Sequence, residues 1–471
     1  MATLPVAIET EPLDVSSETV TVAVRERAPW SVRASRTILF STLLLGTLAF
    51  GAVEAWAWAL TSILAAGSLF LWAWGAAKRG GARILWSPLY LPAAILLLIG
   101  ILQFGLGLSA DVVATREALV KLITDIVIFV LACQLWHDAS PRDLRRLGFT
   151  TSVFACGLAL FATLQFFASP GTIYGVVRPR WGGWVFGPYV NHNHYAGLME
   201  MLIPVALGYV LSHMQTPRKP AVPYRAGSDR RHSVGLPVRS LGRLAIMIAV
   251  ASVLLSGSRG GMISLAVEAV LFATIIGRCV PEARRRRLII AGTAGVAASA
   301  ALFLGLDPGQ ISQRLGAVAN LPQAPEATLG ERMELTRDAW SILRAHPWLG
   351  TGFGSFATVY PRYRSFASDL EWDHAHDDYA EALAEAGVGG GITILAAVGL
   401  FLALAFSTVR ERLAQGGGWI RLGAAIGCCG LLVHSLGDFN LHIPANAAWF
   451  AFFAGLAVCP DQLPRDGKYR Q

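Results

Sequence analysis

Charge is what this sequence has least of. Asp, Glu, Lys and Arg make up 15% of its 471 residues, against about 25% in a soluble globular domain. That shortfall excludes a chain that keeps its whole surface in water. Cysteine is scarce as well. The six cysteines, Cys133, Cys156, Cys279, Cys428, Cys429 and Cys459, form no CxxC pair and no zinc spacing, which argues against a disulfide framework or a metal finger. All six fall in or beside apolar runs, where cysteine serves as a small hydrophobe. No repeat of fixed period runs along the chain. The net charge of +8 would suit nucleic acid, but the basic residues sit in short loops between apolar runs, so no nucleic-acid partner is expected.

What the sequence has instead is hydrophobic length. Hydrophobic residues make up 54%, the mean hydropathy is +0.50, and apolar runs of about 20 residues recur, each long enough to cross a bilayer as a helix. Backbone polar groups in lipid must be satisfied within the segment, so an all-α polytopic membrane protein is expected, with membrane lipids as its surroundings. Twelve spans read out at roughly 37–53, 55–76, 88–107, 118–136, 147–168, 191–212, 242–256, 260–277, 288–305, 387–409, 420–437 and 443–459. The segment 1–36 reads as a flexible cytoplasmic tail, 37–459 as the transmembrane domain, and 460–471 as a second cytoplasmic tail. With the N-terminus inside, 28 of the 39 Lys and Arg residues fall in inner segments, which orients the chain and supports an even number of spans. The apolar runs hold few central charges; Asp125 and Glu268 are exceptions.

One long extracytoplasmic loop is expected at 306–386, and loops of more than about 15 residues are usually functional or disordered. It opens with turn-rich sequence. "ERMELTRDAWSILRAH" (331–346) then places Leu335, Ala339, Ile342 and Leu343 on one helical face. "PWLGTGFGSF" stops that helix with Pro and Gly. "HDDYAEALAEAG" starts another that ends at Gly387.

Four segments facing that side could carry chemistry. In "RPRWGGWVFGPYVNHNHYAG" (178–197), Arg178 and Arg180 offer cations whose planar forks suit a diphosphate. Trp181, Trp184 and Tyr189 offer flat faces for sugar rings. An interfacial aromatic belt is the plainer explanation of the tryptophans, but Asn191, His192, Asn193 and His194 at the mouth of a span are harder to assign to packing. In "SGSRGG" (256–261), Arg259 lies in a Gly-rich hairpin at a membrane boundary. A snorkelling anchor would not need such a turn, so a phosphate contact is favoured. Arg332 and Arg337 on the loop helix read as a solvated face unless they converge with Arg259.

The fourth segment, "EWDHAHDDYAEALAEAG" (371–387), is the densest ionisable cluster in the chain. His376 precedes Tyr379, Ala380 and Leu383 at helical spacing, which puts it on a packed face, with Asp377, Glu381 and Glu385 as an acidic outer stripe. Asp373 is the expected cap. Capping explains the aspartates but not two histidines. His374 and His376 with nearby Asp could ligate a metal. No second His–Asp pair completes such a site, so a general base is favoured over a metal.

Taken together, "RWGGWVFGPYVNHNHYAGLMEMLIP", "SGSRGG", "GERMELTRDAWSILRAHPWLGTGFGSF", "HAHDDYAEALAEAGVGGG" and "HSLGDFNLHIPANAAWFAFFAGL" resemble the O-antigen ligase and O-antigen polymerase superfamily of bacterial membrane glycosyltransferases. The likeness runs from about residue 180 to the C-terminus and rests on the order and spacing of the motifs. It implies a GT-C-like helical fold and a metal-independent enzyme with no cofactor. It also implies a polyprenyl-diphosphate-linked glycan donor, used at the outer face of the inner membrane, and a glycan or lipid A core acceptor, as in lipopolysaccharide or polysaccharide biosynthesis. Carried over by position, Arg259, Arg332 and Arg180 would hold the diphosphate and His376 would be the essential loop histidine. His374, Asn193, Arg337, Trp181 and Trp184 join them as substrate-binding candidates. The family usually has Asn after that histidine, where this chain has Asp377. A transporter of lipid-linked sugars and a non-catalytic envelope scaffold are the alternatives.

Overall fold

The computed structural model describes residues 28–81, 84–179, 183–213, 236–282, 285–286, 290, 329–367, 371–414 and 417–459. Among the described residues the regular elements are helices, and extended backbone pairs only at isolated bridges, Ile173 with Val177 and Phe186 with Tyr189. In chain order they are α1 (Trp30–Leu48), α2 (Ala55–Ala77), α3 (Tyr90–Gly105), α4 (Val112–Trp136), α5 (Pro141–Ala168), α6 (His192–Ser212), α7 (Leu236–Ser256) and α8 (Arg259–Cys279), followed by α9 (Leu329–Ala345), α10 (Phe356–Val359), α11 (Asp378–Phe406), α12 (Val409–Ala414), α13 (Gly418–His434) and α14 (Pro444–Val458). Six of them, α2, α4, α5, α6, α8 and α11, are long and apolar enough to cross a membrane; α3, the 241–256 part of α7, α13 and α14 are apolar but shorter. Eleven of the twelve expected spans overlap a helix. The ninth, 288–305, falls outside the described residues apart from position 290, as do both tails beyond 28–459, the basic stretch 214–235 and the loop opening 306–328.

The bundle is centred on α6 and α13, each buried along nearly its whole length. Glycine lets their backbones meet. A Cβ at Gly423 would lie 2.3 Å from the Pro204 carbonyl oxygen, and one at Gly427 would lie 2.8 Å from Met201 Cα. Small-residue interfaces of this kind suit helices in lipid, where close packing rather than the hydrophobic effect drives association. At one end of the bundle, buried Arg421 donates to the carbonyls of Leu456 (2.8 Å) and Trp136 (2.7 Å), and Arg412 donates to Ala457 and Cys459. These arginines satisfy the last carbonyls of α4 and α14 and oppose the negative ends of their dipoles.

At the opposite end sits a small apolar core of its own. Leu335, Ala339 and Ile342 of α9 pack with Phe356, Val359, Tyr360, Trp372, Ala375, Ala380 and Ala384, so the amphipathic face read from the sequence is the buried one. The helix α11 breaks at Gly387 (φ 65°, ψ −169°), where the sequence places its end. Below the break the helix is apolar; above it lies the ionisable cluster. The loop between α9 and α10 closes against the break. A Cβ at Gly350 would lie 2.2 Å from the Glu385 carbonyl, and one at Gly387 would lie 2.5 Å from the Trp348 carbonyl.

Candidate active site

Glu381 and Glu385 do not form the outer acidic stripe that their spacing suggests. Both are buried. Glu385 accepts from the backbone N–H groups of Gly354 (2.8 Å) and Phe356 (2.9 Å), and so anchors the loop. Glu381 accepts from Ala375 N–H at 2.8 Å. Asp373 is not the cap either. Asp377 caps α11, its Oδ1 accepting from the N–H groups of Tyr379 (3.0 Å) and Ala380 (3.1 Å). The periodicity misled because α11 begins only at Asp378, leaving Asp373 and His376 before the helix. His376 has a left-handed backbone (φ 51°), and that turn rather than a helical face directs its side chain.

That side chain is directed at Asp438, in the strap between α13 and α14. His376 Nδ1 lies 4.0 Å from Asp438 Oδ1, His194 Nε2 lies 3.5 Å from the same oxygen, and Arg332 Nη1 lies 3.9 Å from Oδ2. Arg332 is fixed there by donating to the Gly437 carbonyl at 2.6 Å. Asp438 is 1% exposed. Burial alone would raise its pKa, but the imidazoles of His194, His434 and His376 around it hold the carboxyl well below its usual range. Burial pushes His376 down to about 4; Asp438 opposes the shift, and Arg332, His374 and His194 add to it. Among the described residues, Nδ1 of His376, Nε2 of His194 and Oδ2 of Asp438 are buried with no hydrogen-bond partner. The two ring nitrogens stand 4.0 and 3.5 Å from Asp438 Oδ1, and unsatisfied polar atoms gathered around one carboxylate mark a place that a ligand or water would complete.

Phe439 organises the rings. His374 stacks on it (4.3 Å, 19°), and His194 (4.6 Å) and His376 (4.9 Å) meet it edge-on. His374 Nδ1 also pairs with Glu381 Oε1 at 2.8 Å. His442 lies against both Asp378 Oδ1 (2.7 Å) and Glu381 Oε1 (3.2 Å). Burial alone would lower His442, but Glu381, Asp378 and Glu385 raise it to about 10. His374, Glu381 and His442 have ligand atoms within 4.8 Å of one another, close enough to hold a metal ion. The same atoms satisfy one another as two histidines on one carboxylate, with Asp378 completing the set.

The other candidates separate by position. Arg259 opens α8, is exposed, and has no hydrogen bond or ion pair among the described residues. Its neighbours draw the turn into the site: a Cβ at Gly260 would lie 2.4 Å from His434, and one at Gly257 would lie 3.6 Å from the Trp184 ring. Trp184 in turn stacks on His192 (4.5 Å). Asn193 is buried in the first turn of α6, which Asn191 caps. Arg337 does not join them; it is exposed and bound through both oxygens of Glu334 (2.7 and 2.9 Å). Arg180 and Trp181 lie outside the described residues.

Four helix N-termini thus meet at this end of the bundle, those of α6, α8, α11 and α14, with the C-terminus of α13. Residues 244–395 match the family model described as O-Antigen ligase. This stretch of the chain carries an O-antigen-ligase-type domain, which supports the likeness to the O-antigen ligase/polymerase superfamily. No curated protein matches the chain. This O-antigen ligase match covers Arg259, Arg332, His374 and His376, while Asp438, Phe439, His434 and His442 lie beyond it. The matched family implies a ligase- or glycosyltransferase-type membrane enzyme with glycan and lipid-linked substrates. The sequence reading missed Asp438, whose one signal was a polar Gly–Asp break between two apolar runs. It also missed how six of the chain's ten histidines would gather around the helix ends.

Proposed function

We propose that the chain transfers a glycan from a polyprenyl-diphosphate lipid to a hydroxyl acceptor, a lipid A core or a growing polysaccharide, at the outer face of the bacterial inner membrane. The observation that carries this reading is Arg332 at the His376–Asp438 pair, with the first turn of α8, which Arg259 opens, packed on the neighbouring His434. Helix N-termini and arginine forks favour an anion, and breaking the glycosyl–phosphate bond builds negative charge on the leaving diphosphate. Fixed cations in a water-poor pocket stabilise that charge as it develops. Asp438 faces Nδ1 of His376, which leaves Nε2 as the nitrogen that takes the acceptor proton as the acceptor oxygen attacks the anomeric carbon. Attack opposite the diphosphate makes the reaction inverting. No step calls on a metal or a cofactor; Trp184 and Asn193 line the donor side.

The test uses purified protein with a lipid-linked donor. Arg259→Lys keeps the charge and loses the bidentate fork, so transfer falls strongly although the variant stays folded. His376→Ala loses roughly 10²–10⁴-fold in rate, and transfer persists in a chelator. Full activity of folded Arg259→Ala, or loss in chelator reversed by a divalent metal, refutes the reading. Deleting the gene distinguishes the two family activities, since unligated lipid-linked polymer marks a ligase and single-repeat glycan marks a polymerase.

A further inference from the structure

His434, the last residue of α13, takes no part in the chemistry above, and it is 3% exposed. Its Nδ1 lies 3.1 and 3.2 Å from the two oxygens of Glu200 on α6, itself 0% exposed. An acid and a base buried together in a helix bundle are costly to place there and are by default functional. The other edge of the ring has no hydrogen-bond partner among the described residues, and it faces the first turn of α8. A Cβ at Gly260 would lie 2.4 Å from both Cδ2 and Nε2. That turn is a helix N-terminus with Ser258 as its cap and Arg259 as its first residue. An imidazole whose N–H edge borders the positive end of a helix adds a donor to the amides there, which together suit an anion.

We propose that His434, oriented through Nδ1 by Glu200, is a third donor of the diphosphate seat, together with Arg259 and the first turn of α8. Position 260 is glycine so that the ring edge can reach that seat. The assignment rests on the transferase reading, and it adds a binding residue that lies beyond the part of the chain the family model matches. The charged and titratable groups that act on the ring are Glu200 on α6, Arg332 on α9, Asp438 in the strap and His194 on α6, and Glu268 on α8 interacts with Glu200. Of these, Glu200 alone is hydrogen-bonded to it.

The experiment is equilibrium binding of polyprenyl diphosphate to the full-length protein in detergent, from pH 5 to 9, with inorganic pyrophosphate as competitor. His434→Gln is expected to bind roughly tenfold more weakly at the acid end, the worth of a charged hydrogen bond, and to lose the wild-type decline in affinity as pH rises. Glu200→Gln is expected to move the midpoint of that decline to lower pH, because the partner that holds the proton on His434 is gone. A change at His194 or His376 would leave Glu200→Gln with the wild-type midpoint, so an unmoved midpoint overturns the proposal even if His434→Gln fails to fold. Gly260→Ala, whose methyl group would push the His434 ring edge out of the seat, is expected to weaken binding as His434→Gln does; unchanged binding overturns the proposal. Equal affinity for inorganic pyrophosphate would make this a free-anion site and overturn its assignment to the lipid donor. If Arg259→Ala leaves binding intact, the transferase reading fails; if Arg259→Ala abolishes binding and His434→Gln does not weaken it, only the role of His434 fails.

Discussion

In the proposed reaction His376 is the base, and its surroundings set the pH at which it can act. Burial, reinforced by Arg332, His374 and His194, holds it to about 4, so it is a neutral base at pH 7. The sign follows from that depression. As pH falls through 6.5, an unperturbed histidine would take up its proton, whereas this one remains free to accept the acceptor's. Transfer is therefore predicted to persist below pH 6 and to fade near 4, which a rate–pH profile of the purified protein reads directly; an acid limb centred near 6.5 would overturn it. The same shift drains stability as pH falls from about 6.5 toward 4, because there the unfolded chain binds more protons than the folded one. His374, stacked on Phe439 and paired with Glu381, lies one step from the reaction. His374→Ala is predicted to lose far less transfer than His376→Ala in the same assay. Asp377, the departure from the family pattern, serves as a helix cap through one side-chain oxygen, and an asparagine oxygen would do the same. Asp377→Asn is therefore predicted to leave thermal stability unchanged, while Asp377→Ala costs about 0.5–2 kcal/mol by denaturation.

At the scale of the element, the break in α11 is what lets one helix serve two environments. Its lower part is apolar, and its upper part carries Asp378, Glu381 and Glu385 into buried hydrogen bonds. Gly387 adopts a backbone conformation that is nearly exclusive to glycine, and the Trp348 carbonyl fills the space where a Cβ would sit. Gly387→Ala is predicted to destabilise the protein by roughly 1–3 kcal/mol and to lower transfer by displacing the 347–356 loop that Glu385 anchors. Melting in detergent tests the first part, and a wild-type midpoint would refute it. The amphipathic face of α9 was legible in the sequence because Leu335, Ala339 and Ile342 recur at the helical period and have only one core to face. The acidic residues of α11 were misread because period alone does not say which face of a helix is covered. Here strap residues Leu441 and His442 and the loop backbone at 354 and 356 cover the face that a lone helix would turn to water.

At the scale of the molecule, the bundle has one end lined by arginines on helix C-termini and another where helix N-termini meet the ionisable cluster. A macrodipole view assigns cations to the first end and anions to the second. On the proposed topology the Lys and Arg asymmetry would put the arginine-lined end in the cytoplasm. A reporter fused near residue 230 is predicted to report a cytoplasmic position and one fused after residue 350 an extracytoplasmic one. Both on the same side would overturn the orientation, and with it an outer-face active site.

The sequence by itself determined that this is a helical membrane protein, roughly where its helices lie, and which motifs to suspect. Hydrophobic length and the positions of Lys and Arg carry that information locally, because each span must satisfy its own backbone in lipid. It also pointed to Arg259 by its Gly-rich turn and to His374 and His376 as histidines that helix capping does not explain, and the family resemblance added Arg332. Only the tertiary structure decided what these residues face. Asp438 lies 62 residues from His376 in the chain and 4.0 Å away in space, and Glu200 lies 234 residues from His434. Such partners are set by which helix ends the bundle brings together, through glycine contacts that bear no mark of the chemistry they assemble. Arg332 joined the site and Arg337 did not, although both lie on one helix, because Gly437 and Asp438 meet the first and Glu334 holds the second in solvent.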